Sequence, residues 1–371
     1  MAAPLSIAFF GSSLVSAYWN GAATYYRGMV RALHRLGHRI TFYEPDAYER
    51  QSHRDMDDPD WASVVVYPAT ETGVYRSLEA AMGADLVIKA SGVGVFDELL
   101  EREVLHLKRE GNQVVFWDVD APATLERITD NRDDPFRRLI PRYDLILTYG
   151  GGNPIVRSYT GFGARACIPI YNALDPDTHF PVQPEPRLEA DLSFLGNRLP
   201  DREGRVDEFF LSVAEKMPDR KFLLAGSGWG DKARAGNVSY IGHLGTRDHN
   251  AFNCSPMAIL NVSRDGMARN GFSPATRVFE AAGAGACMIT DKWEGVEQFF
   301  EPEQEIYVAE NGDEVAEILD QLTPSVSAVV GSRALTRVRA QHTYTHRARQ
   351  FEEIFSAGSG GGCGNGHATR R

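Results

Sequence analysis

The sequence predicts an α/β protein made of two doubly wound parallel-sheet domains, and two observations support this. Short apolar strands alternate with amphipathic helical segments along the whole chain, and one irregular, proline-rich stretch at 173–190 interrupts the alternation. With 371 residues, 43% of them hydrophobic and 24% charged, the chain can form two domains with cores of ordinary size.

Thirteen segments have the composition of buried strands, seven before the interruption and six after it. They are residues 5–10, 39–44, 63–68, 85–90, 113–118, 144–149 and 164–170, then 191–196, 221–226, 238–242, 257–262, 286–290 and 305–309. Nearly continuous apolar strands separated by helices are typical of parallel sheets that are covered on both faces.

The first helical segment shows the helical half of this pattern. Tyr25, Met29, Leu33 and Leu36 recur every three or four residues, which gives a helix one apolar face. Asn20 precedes this segment, and we expect its side chain to cap the helix.

The interruption sets the expected domain boundaries. We expect a first domain at 1–172, a linker at 173–190 and a second domain at 191–341. Residues 342–356 have a helical pattern, and the glycine-rich stretch 357–371 is expected to be a disordered tail.

Composition excludes several classes of partner. A net charge of −11 argues against nucleic acid or an anionic membrane as the main partner. The chain has no apolar run long enough to span a bilayer, and its first residues lack the basic region of a secretory signal. Its four cysteines show no metal-binding spacing. We therefore expect a cytoplasmic protein with no integral membrane span and no metal site.

Residues 272–300 carry the strongest functional signal. Ser273 is suited to an N-cap and Pro274 to a first helical position, so the helix would offer unpaired N–H groups to an anion. Arg277 and Glu280 are three residues apart and share a helix face. A cation for phosphate and a carboxylate for two sugar hydroxyls suit a nucleoside diphosphate. The alternative is an ordinary capped helix with a solvated ion pair.

The same segment resembles the donor-sugar signature of group 1 glycosyltransferases, and in particular the CgeB-like (spore-maturation) branch. The matching residues are Arg277, Phe279, Glu280, Gly285, Ala286, Ile289, Thr290 and Asp291. The resemblance covers nearly the whole chain and includes the H-T-Y-x-H-R motif at 342–347. It implies the GT-B fold, in which two Rossmann-like domains face each other across a cleft and the C-terminal helix crosses back to the first domain.

In the first domain, the resemblance implies that the loop after the first strand faces the donor diphosphate. Gly11, Ser12 and Gly21 lie in this loop, and glycine at 21 would allow close approach of the backbone to a phosphate. A tight turn without a ligand is the alternative. The loop lacks the G-x-G-x-x-G pattern, and Glu44 is the nearest acidic candidate for a dinucleotide site, so a dehydrogenase is disfavoured.

Asp118 and Asp120 follow the fifth strand, and the resemblance places this segment at the edge of the acceptor domain. Either carboxylate could orient or deprotonate an acceptor hydroxyl. Asp120 could equally cap the helix that begins near Pro122. A run of glycines at 150–152 after the sixth strand either lines the cleft or simply turns the chain.

In the second domain, the resemblance implies donor contacts from three turns that follow strands. These residues are Gly196, Asn197, Arg198, Gly226, Gly228, Trp229, His243 and Leu244. Arg198 is expected to neutralise the β-phosphate as the glycosidic bond breaks, although it could be a surface arginine. Trp229 could pack near the base or cover the loop from outside.

The chain departs from the group 1 pattern at one position. Members of that group usually carry two glutamates eight positions apart, and the first would fall at Phe272. Asp265, or the backbone of Asn270, Gly271 and Phe272, could contact the sugar instead. The stereochemical outcome therefore stays open.

Together these features predict a metal-independent glycosyltransferase that uses a nucleotide-diphosphate sugar as co-substrate and no other cofactor. Two alternatives remain open from the sequence: a sugar-nucleotide epimerase and a non-catalytic assembly protein on the same fold. The donor base, the acceptor and the oligomeric state are not predicted.

Overall fold

A computed structural model describes residues 3–357 of the chain, so the predicted tail lies outside the described residues from position 358 onward. All thirteen segments predicted as strands form strands. They are β1 Ser6–Phe10, β2 Arg39–Asp46, β3 Ser63–Pro68, β4 Leu86–Ala90, β5 Gln113–Asp118, β6 Leu145–Thr148, β7 Cys167–Pro169, β8 Leu192–Leu195, β9 Phe222–Ala225, β10 Val238–Tyr240, β11 Ala258–Asn261, β12 Met288–Asp291 and β13 Tyr307–Ala309.

The strands form two parallel sheets. The first sheet has seven strands in the order β3-β2-β1-β4-β5-β6-β7, and the second has six in the order β10-β9-β8-β11-β12-β13. The direction of winding reverses beside β1 in one sheet and beside β8 in the other. Such reversals open a crevice at the carboxyl ends of the strands, where α/β proteins bind their ligands.

Helices cover both faces of the two sheets. They are α1 Ala23–Arg35, α2 Glu71–Ala81, α3 Asp97–Glu103, α4 Ala121–Asp130, α5 Phe136–Leu139, α6 Gly152–Gly161, α7 Pro200–Val206, α8 Ser212–Lys216, α9 His249–Cys254, α10 Asp265–Asn270, α11 Thr276–Gly283, α12 Gly312–Gln321, α13 Pro324–Gln341 and α14 Tyr344–Ala357. A π-helical turn at Asp207–Leu211 joins α7 to α8.

Strand β5 shows why these strands are apolar throughout. Val114 and Phe116 belong to the core on one face of the first sheet, and Val115 and Trp117 belong to the core on the other face. Because successive side chains point to opposite faces, a strand covered on both sides buries every residue. The predicted doubly wound α/β fold is therefore confirmed.

The C-terminal helix α14 packs against α1 of the first domain. A side chain at Gly28 would place its Cβ 2.2 Å from the ring of Tyr344, so glycine is what allows the two helices to approach. Leu174 in the linker exchanges backbone hydrogen bonds with this end of the chain: its N–H donates to His342 and its carbonyl accepts from Tyr344. The two segments that connect the domains, the linker and the start of α14, therefore lie side by side.

Asn20 does not cap α1, contrary to expectation. The helix begins at Ala23 with Ala22 in the cap position. The Asn20 amide instead donates to the carbonyls of Ser13 and Ser16, at 2.8 and 3.0 Å. These bonds hold the long loop between β1 and α1 in a fixed shape, and that loop borders the site described below.

Candidate active site

The carboxyl edges of the two sheets enclose a cavity of about 440 Å³. Both domains contribute polar side chains to its wall, and the first domain also contributes glycines. The first domain contributes Ser12, Trp19, Asn20, Gly21, Arg50, Asp120 and Tyr149, and the second contributes Arg202, Ser263, Arg264, Met267, Ala275 and Thr276, among others. A concave site with a few convergent charges between two domains is where a small ligand is expected to bind.

One side of the cavity is closed by a direct contact between the domains. The N–H of Gly151 donates to the carbonyl of Phe272 at 2.7 Å. The Phe272 ring packs so closely on Gly152 that a Cβ there would lie 2.6 Å from the ring. Phe272 also has a positive φ of 47°, which is uncommon for an aromatic residue. The glycine run after β6 is thus a docking surface for the loop that precedes α11.

The expectation that the backbone of Gly271 and Phe272 donates hydrogen bonds to the sugar is corrected by the partners that these two N–H groups have in the structure. The Phe272 N–H donates to the Glu294 carbonyl at 2.6 Å, and the Gly271 N–H donates to Met267 at 3.0 Å. Both donors are therefore already used inside the second domain. Gly271, with φ of 65°, serves the turn.

The two acids after β5 have different environments. Asp118 is fully buried and accepts hydrogen bonds from the hydroxyls of Ser91 (2.7 Å), Thr124 (3.0 Å) and Tyr159. The prediction that Asp118 acts on the acceptor is therefore wrong, because its oxygens are occupied by the interior of the first domain. It fixes the end of β5 instead.

Asp120 lines the cavity and occupies the N-cap position of α4. Its side chain is 45% exposed, and Arg264 of the second domain lies 3.6 Å from it. Burial raises the pKa of Asp120 above the ordinary value of an aspartate, and the nearby Arg264 cation opposes that rise. Arg264 also pairs with Asp201 at 2.7 Å, which holds its guanidinium at the cavity wall.

The cation predicted for the β-phosphate does not lie at the cavity wall. Arg198 forms ion pairs with Glu203 at 2.7 Å and with Asp231 at 3.0 Å, and it is not among the residues that line the cavity. Arg202, one helical turn further along, lines the cavity instead. Burial lowers its pKa to about 10, which still leaves it charged at neutral pH. The only local signal for Arg202 is a weak one, its position in the first turn of α7.

The loop after β1 contributes Ser12 and Gly21 to the cavity wall, and Ser12 donates to the Asn20 amide at 2.8 Å. Gly11 has a structural role instead, because a Cβ there would lie 2.4 Å from the ring of Phe42. Glu44 accepts from the Leu14 N–H at 2.6 Å, so it braces the loop rather than facing a dinucleotide.

Helix α11 begins later than the sequence suggested. Its first residue is Thr276 and its N-cap is Ala275, in extended conformation, so Ser273 and Pro274 precede the helix and do not cap it. Ser273 is buried against Gly150 of the first domain. Extended backbone here lets the segment reach the glycine run. Ala275 and Thr276 do line the cavity, so the helix N-terminus faces it.

Arg277 and Glu280 lie beneath this helix end and do not line the cavity. Their side chains are 3.7 Å apart, and His179 lies 3.8 Å from the other carboxylate oxygen. Burial alone would raise the pKa of Glu280, but His179 and Arg277 together bring it below its usual range. Donor contact through this pair stays a prediction.

His179, His249 and Glu280 form a group that could hold a metal, since their ligand atoms lie within 4.8 Å of one another. Burial lowers the pKa of His249 to about 4, so its imidazole is neutral and able to ligate. Arg277 already supplies positive charge to the same carboxylate. The three residues are far apart in sequence, which is why spacing did not reveal them.

The three turns predicted to hold the nucleotide are tied together at the carboxyl edge of the second sheet. Gly226 donates to the carbonyl of Gly242 at 2.8 Å, and the Asn197 amide oxygen accepts from Ser227 at 2.9 Å. Gly226, with φ of 120°, lies so close to Gly196 that a Cβ would be 2.2 Å from its carbonyl oxygen.

Trp229 is neither a base-stacking nor a surface aromatic. It is fully buried against the core of the second domain, and its indole N–H donates to Gly196 at 2.8 Å. Nearby, Gly228 packs on the Arg198 side chain, His243 is exposed and Leu244 is buried. Contact between these turns and a base stays a prediction.

Comparison with known proteins supports the fold and the enzyme class. Residues 202–353 match a family described as glycosyl transferase-like. No curated protein sequence matches the chain at a significant level. Within the described residues, none of the helices is both long and apolar enough to cross a bilayer.

Several solved structures are similar over nearly the whole chain. Sucrose-phosphate synthase from Thermosynechococcus elongatus has 12% identity and a TM-score of 0.67, covering 95% of this chain and 98% of its own. HepE from Anabaena, solved with UDP and glucose, has 12% identity and a TM-score of 0.65, covering 95% and 100%. An alpha-glucosyltransferase solved with UDP-glucose and DNA has 12% identity and a TM-score of 0.68, covering 95% and 100%.

The structure solved with DNA bears on the expectation, drawn from net charge, that nucleic acid is not the main partner. Because a protein of this fold is solved with DNA, the fold gives no support for excluding nucleic acid. The similarity of both domains to these structures shows a two-domain fold of the GT-B type, and the match of residues 202–353 to a glycosyl transferase-like family supports a glycosyltransferase.

Proposed function

We propose that the protein transfers a sugar from a nucleoside diphosphate sugar to a hydroxyl group of an acceptor, without a metal ion. The observation that carries this proposal is the cavity between the domains. There, arginines of the second domain face the Asp120 carboxylate of the first. The donor would bind against the second domain, as the sequence predicts, and the acceptor against the first.

Positive charge for the leaving diphosphate would come from Arg202, Arg264 and the N-terminus of α11. All three lie at the cavity wall, the last through Ala275 and Thr276. Fixed cations and helix N–H groups stabilise charge that develops as a bond breaks, and they need no reorganisation at that moment. This arrangement would perform the task for which other enzymes use a metal, which supports the metal-independent part of the proposal.

Asp120 is the proposed general base. It lines the cavity, carries a raised pKa and belongs to the domain opposite the arginines. A carboxylate whose pKa is raised towards neutrality is a stronger base, and positioned bases of this kind contribute roughly 10²- to 10⁴-fold to rate. Asp120 occupies the N-cap position of α4, but its side chain makes no capping hydrogen bond there.

The contact between Phe272 and the glycine run supports a closed state that excludes water. It joins the domains through a backbone hydrogen bond of 2.7 Å and through packing of the ring on Gly152. Exclusion of water strengthens charge interactions in the cavity and limits hydrolysis of the donor. The linker and the start of α14, which cross side by side, would form the hinge.

The epimerase alternative requires acids or bases that flank the sugar inside the cavity. The histidines and the glutamate of the second domain that come together, His179, His249 and Glu280, are not part of the described cavity wall. The non-catalytic alternative drew its support from the missing glutamate at Phe272. The charged residues retained at the cavity favour an enzyme. The CgeB-like branch and a cytoplasmic location remain parts of the proposal.

Calorimetric titration with UDP, GDP, dTDP and CDP tests donor binding. We expect one diphosphate to bind selectively, and Arg202→Gln to weaken it while the matched control Arg198→Gln leaves it within about twofold. Absence of binding by all four would overturn the proposal. Equal losses in both variants would overturn the assignment of the diphosphate to Arg202.

A further inference from the structure

Arg50 is a buried cation at the cavity wall without a carboxylate partner. Only 6% of the residue is exposed, and among the described residues no carboxylate lies within ion-pair distance of it. Its Nε has no hydrogen-bond partner. Buried charges are normally paired, because removing an isolated charge from water costs several kcal/mol. An unpaired arginine at a cavity wall therefore indicates a site for an anion.

The contacts that Arg50 does make are long. Its guanidinium donates to the carbonyls of Ser12, Val93 and Trp19, at 3.2, 3.3 and 3.4 Å. The Tyr48 ring lies 5.0 Å from the same group, which adds a cation–π contact. Ordinary N–H···O bonds centre near 2.9 Å, so these contacts position the group but leave its charge largely uncompensated. Burial accordingly lowers the pKa of Arg50.

Arg50 belongs to the acceptor side of the cavity. The charged and phenolic groups that act on it are Tyr48, Tyr26, Glu44 and Asp97, all of the first domain. Those acting on Arg202 lie in the second domain. The two cations therefore occupy separate electrostatic surroundings. Arg202 lies with the donor turns of the second domain, whereas Arg50 donates to Ser12 and Trp19 of the loop after β1. Because that loop was expected to face the donor diphosphate, the effect of Arg50→Gln on diphosphate affinity decides between the two assignments.

Trp19 lies beside Arg50 at the mouth of the same cavity. It is 79% exposed, whereas the other four tryptophans of the chain are buried. Its backbone has a positive φ of 47°, which a bulky residue adopts only when its surroundings impose it. The neighbouring Asn20 amide donates to Ser13 and Ser16, and the Arg50 guanidinium donates to the Trp19 carbonyl at 3.4 Å. An exposed aromatic ring at a cavity mouth is suited to pack against the face of a ligand ring.

We propose that the acceptor is a sugar unit that carries an anionic group, a carboxylate or a phosphate, with its ring stacked on Trp19 and its anion paired with Arg50. The C–H face of a pyranose is weakly positive and packs well on the negative face of an indole. The guanidinium offers the planar donors that carboxylate and phosphate require. The inference rests on the proposed transferase function and names the class of its second substrate.

Calorimetry with matched sugars tests the inference. The probes are glucose, mannose and galactose, each as the neutral sugar, the 6-phosphate and the uronate, together with inorganic phosphate. We expect at least one charged sugar to bind tenfold or more tightly than its neutral parent. Arg50→Gln should abolish that advantage while leaving nucleoside diphosphate affinity within twofold. The control Arg54→Gln, on the surface and paired with Asp58, should change neither.

Trp19→Ala should weaken the binding of charged and neutral sugars alike by fivefold or more, while Trp19→Phe should retain most of the affinity. The affinity for inorganic phosphate should be unchanged in both variants. Because Arg50 is buried, the thermal midpoint of each variant is measured, and Arg50→Lys is included to preserve the charge. We expect Arg50→Lys to retain part of the preference for charged sugars.

Three outcomes would overturn the inference. They are equal affinity for charged and neutral sugars, no binding by any charged sugar, and loss of diphosphate affinity in Arg50→Gln. The last would assign Arg50 to the donor. None of these outcomes removes diphosphate binding from the unaltered protein, so they differ from failure of the proposed function.

Discussion

Replacing Asp120 by asparagine removes the proposed base and keeps the shape of the side chain. We expect the turnover of donor to fall by roughly 10²- to 10⁴-fold, which corresponds to about 2.7 to 5.5 kcal/mol in the activation free energy. The affinity for the nucleoside diphosphate should be nearly unchanged, since the carboxylate belongs to the domain opposite the proposed diphosphate site.

The substitution also breaks an ion pair, and the size of that effect can be separated. Asp120 and Arg264 are 3.6 Å apart, and both side chains are 45% exposed. Exposed pairs of this kind contribute about 0.2–1 kcal/mol, so loss of the pair accounts for a factor of about five at most. A much larger loss of turnover must therefore come from removal of the base that deprotonates the acceptor.

Asp201→Asn is the matched control. It removes the other carboxylate on Arg264, at 2.7 Å, and leaves Asp120 in place. Turnover is measured as release of nucleoside diphosphate, with water as acceptor until the natural one is known. We expect less than a fivefold loss in the control. Similar losses in the two variants would refute the role of Asp120 as base and leave it as an electrostatic partner of Arg264.

The remaining predictions concern pH, metal and packing. Because burial raises the pKa of Asp120 and a base acts when deprotonated, kcat/KM should rise with pH through that elevated pKa and then level off. Arg264→Gln removes the opposing cation, so this rise should move to higher pH; a shift to lower pH would contradict the assignment. Incubation with EDTA should leave turnover unchanged, and loss restored by a divalent metal would point to the group around Glu280. Gly28→Ala should lower the free energy of unfolding by about 1–3 kcal/mol through collision with Tyr344, measured by urea titration against Gly21→Ala, which meets no neighbouring atom.

The fold could be predicted because its signals are local. Each strand is a short apolar run, and the period of the pattern changes between strand and helix along the chain. The position of Asp120 at the cavity was also accessible to prediction, since an acid at the carboxyl end of a parallel strand lies at the edge where ligands bind. Its role as a base stays a prediction.

The errors at the site arise from contacts that are distant in sequence. Asp118 and Asp120 look alike in the sequence, but Tyr159 comes from a later helix and buries only Asp118. Arg198 and Arg202 are four residues apart, and the ion pair with Asp231 withdraws Arg198 from the cavity. Such partners depend on tertiary packing, so no local pattern could distinguish the members of either pair.

The predicted start of α11 was wrong for a related reason. Ser273 and Pro274 have the residue types of a helix start, yet the chain remains extended to Ala275. The contact between Phe272 and the glycine run of the other domain requires that extension. Interdomain docking therefore overrides local capping preference at this position.

The central claim is that the cavity between the domains holds the donor diphosphate. A crystal structure of the protein with the nucleoside diphosphate that binds best tests it most directly. We expect the two phosphates to lie between the Arg202 guanidinium and the first turn of α11, within hydrogen-bond distance of both, with Asp120 across the cavity. A nucleotide bound elsewhere, with its phosphates on the Arg198 side of α7 or outside the cavity, would contradict the account.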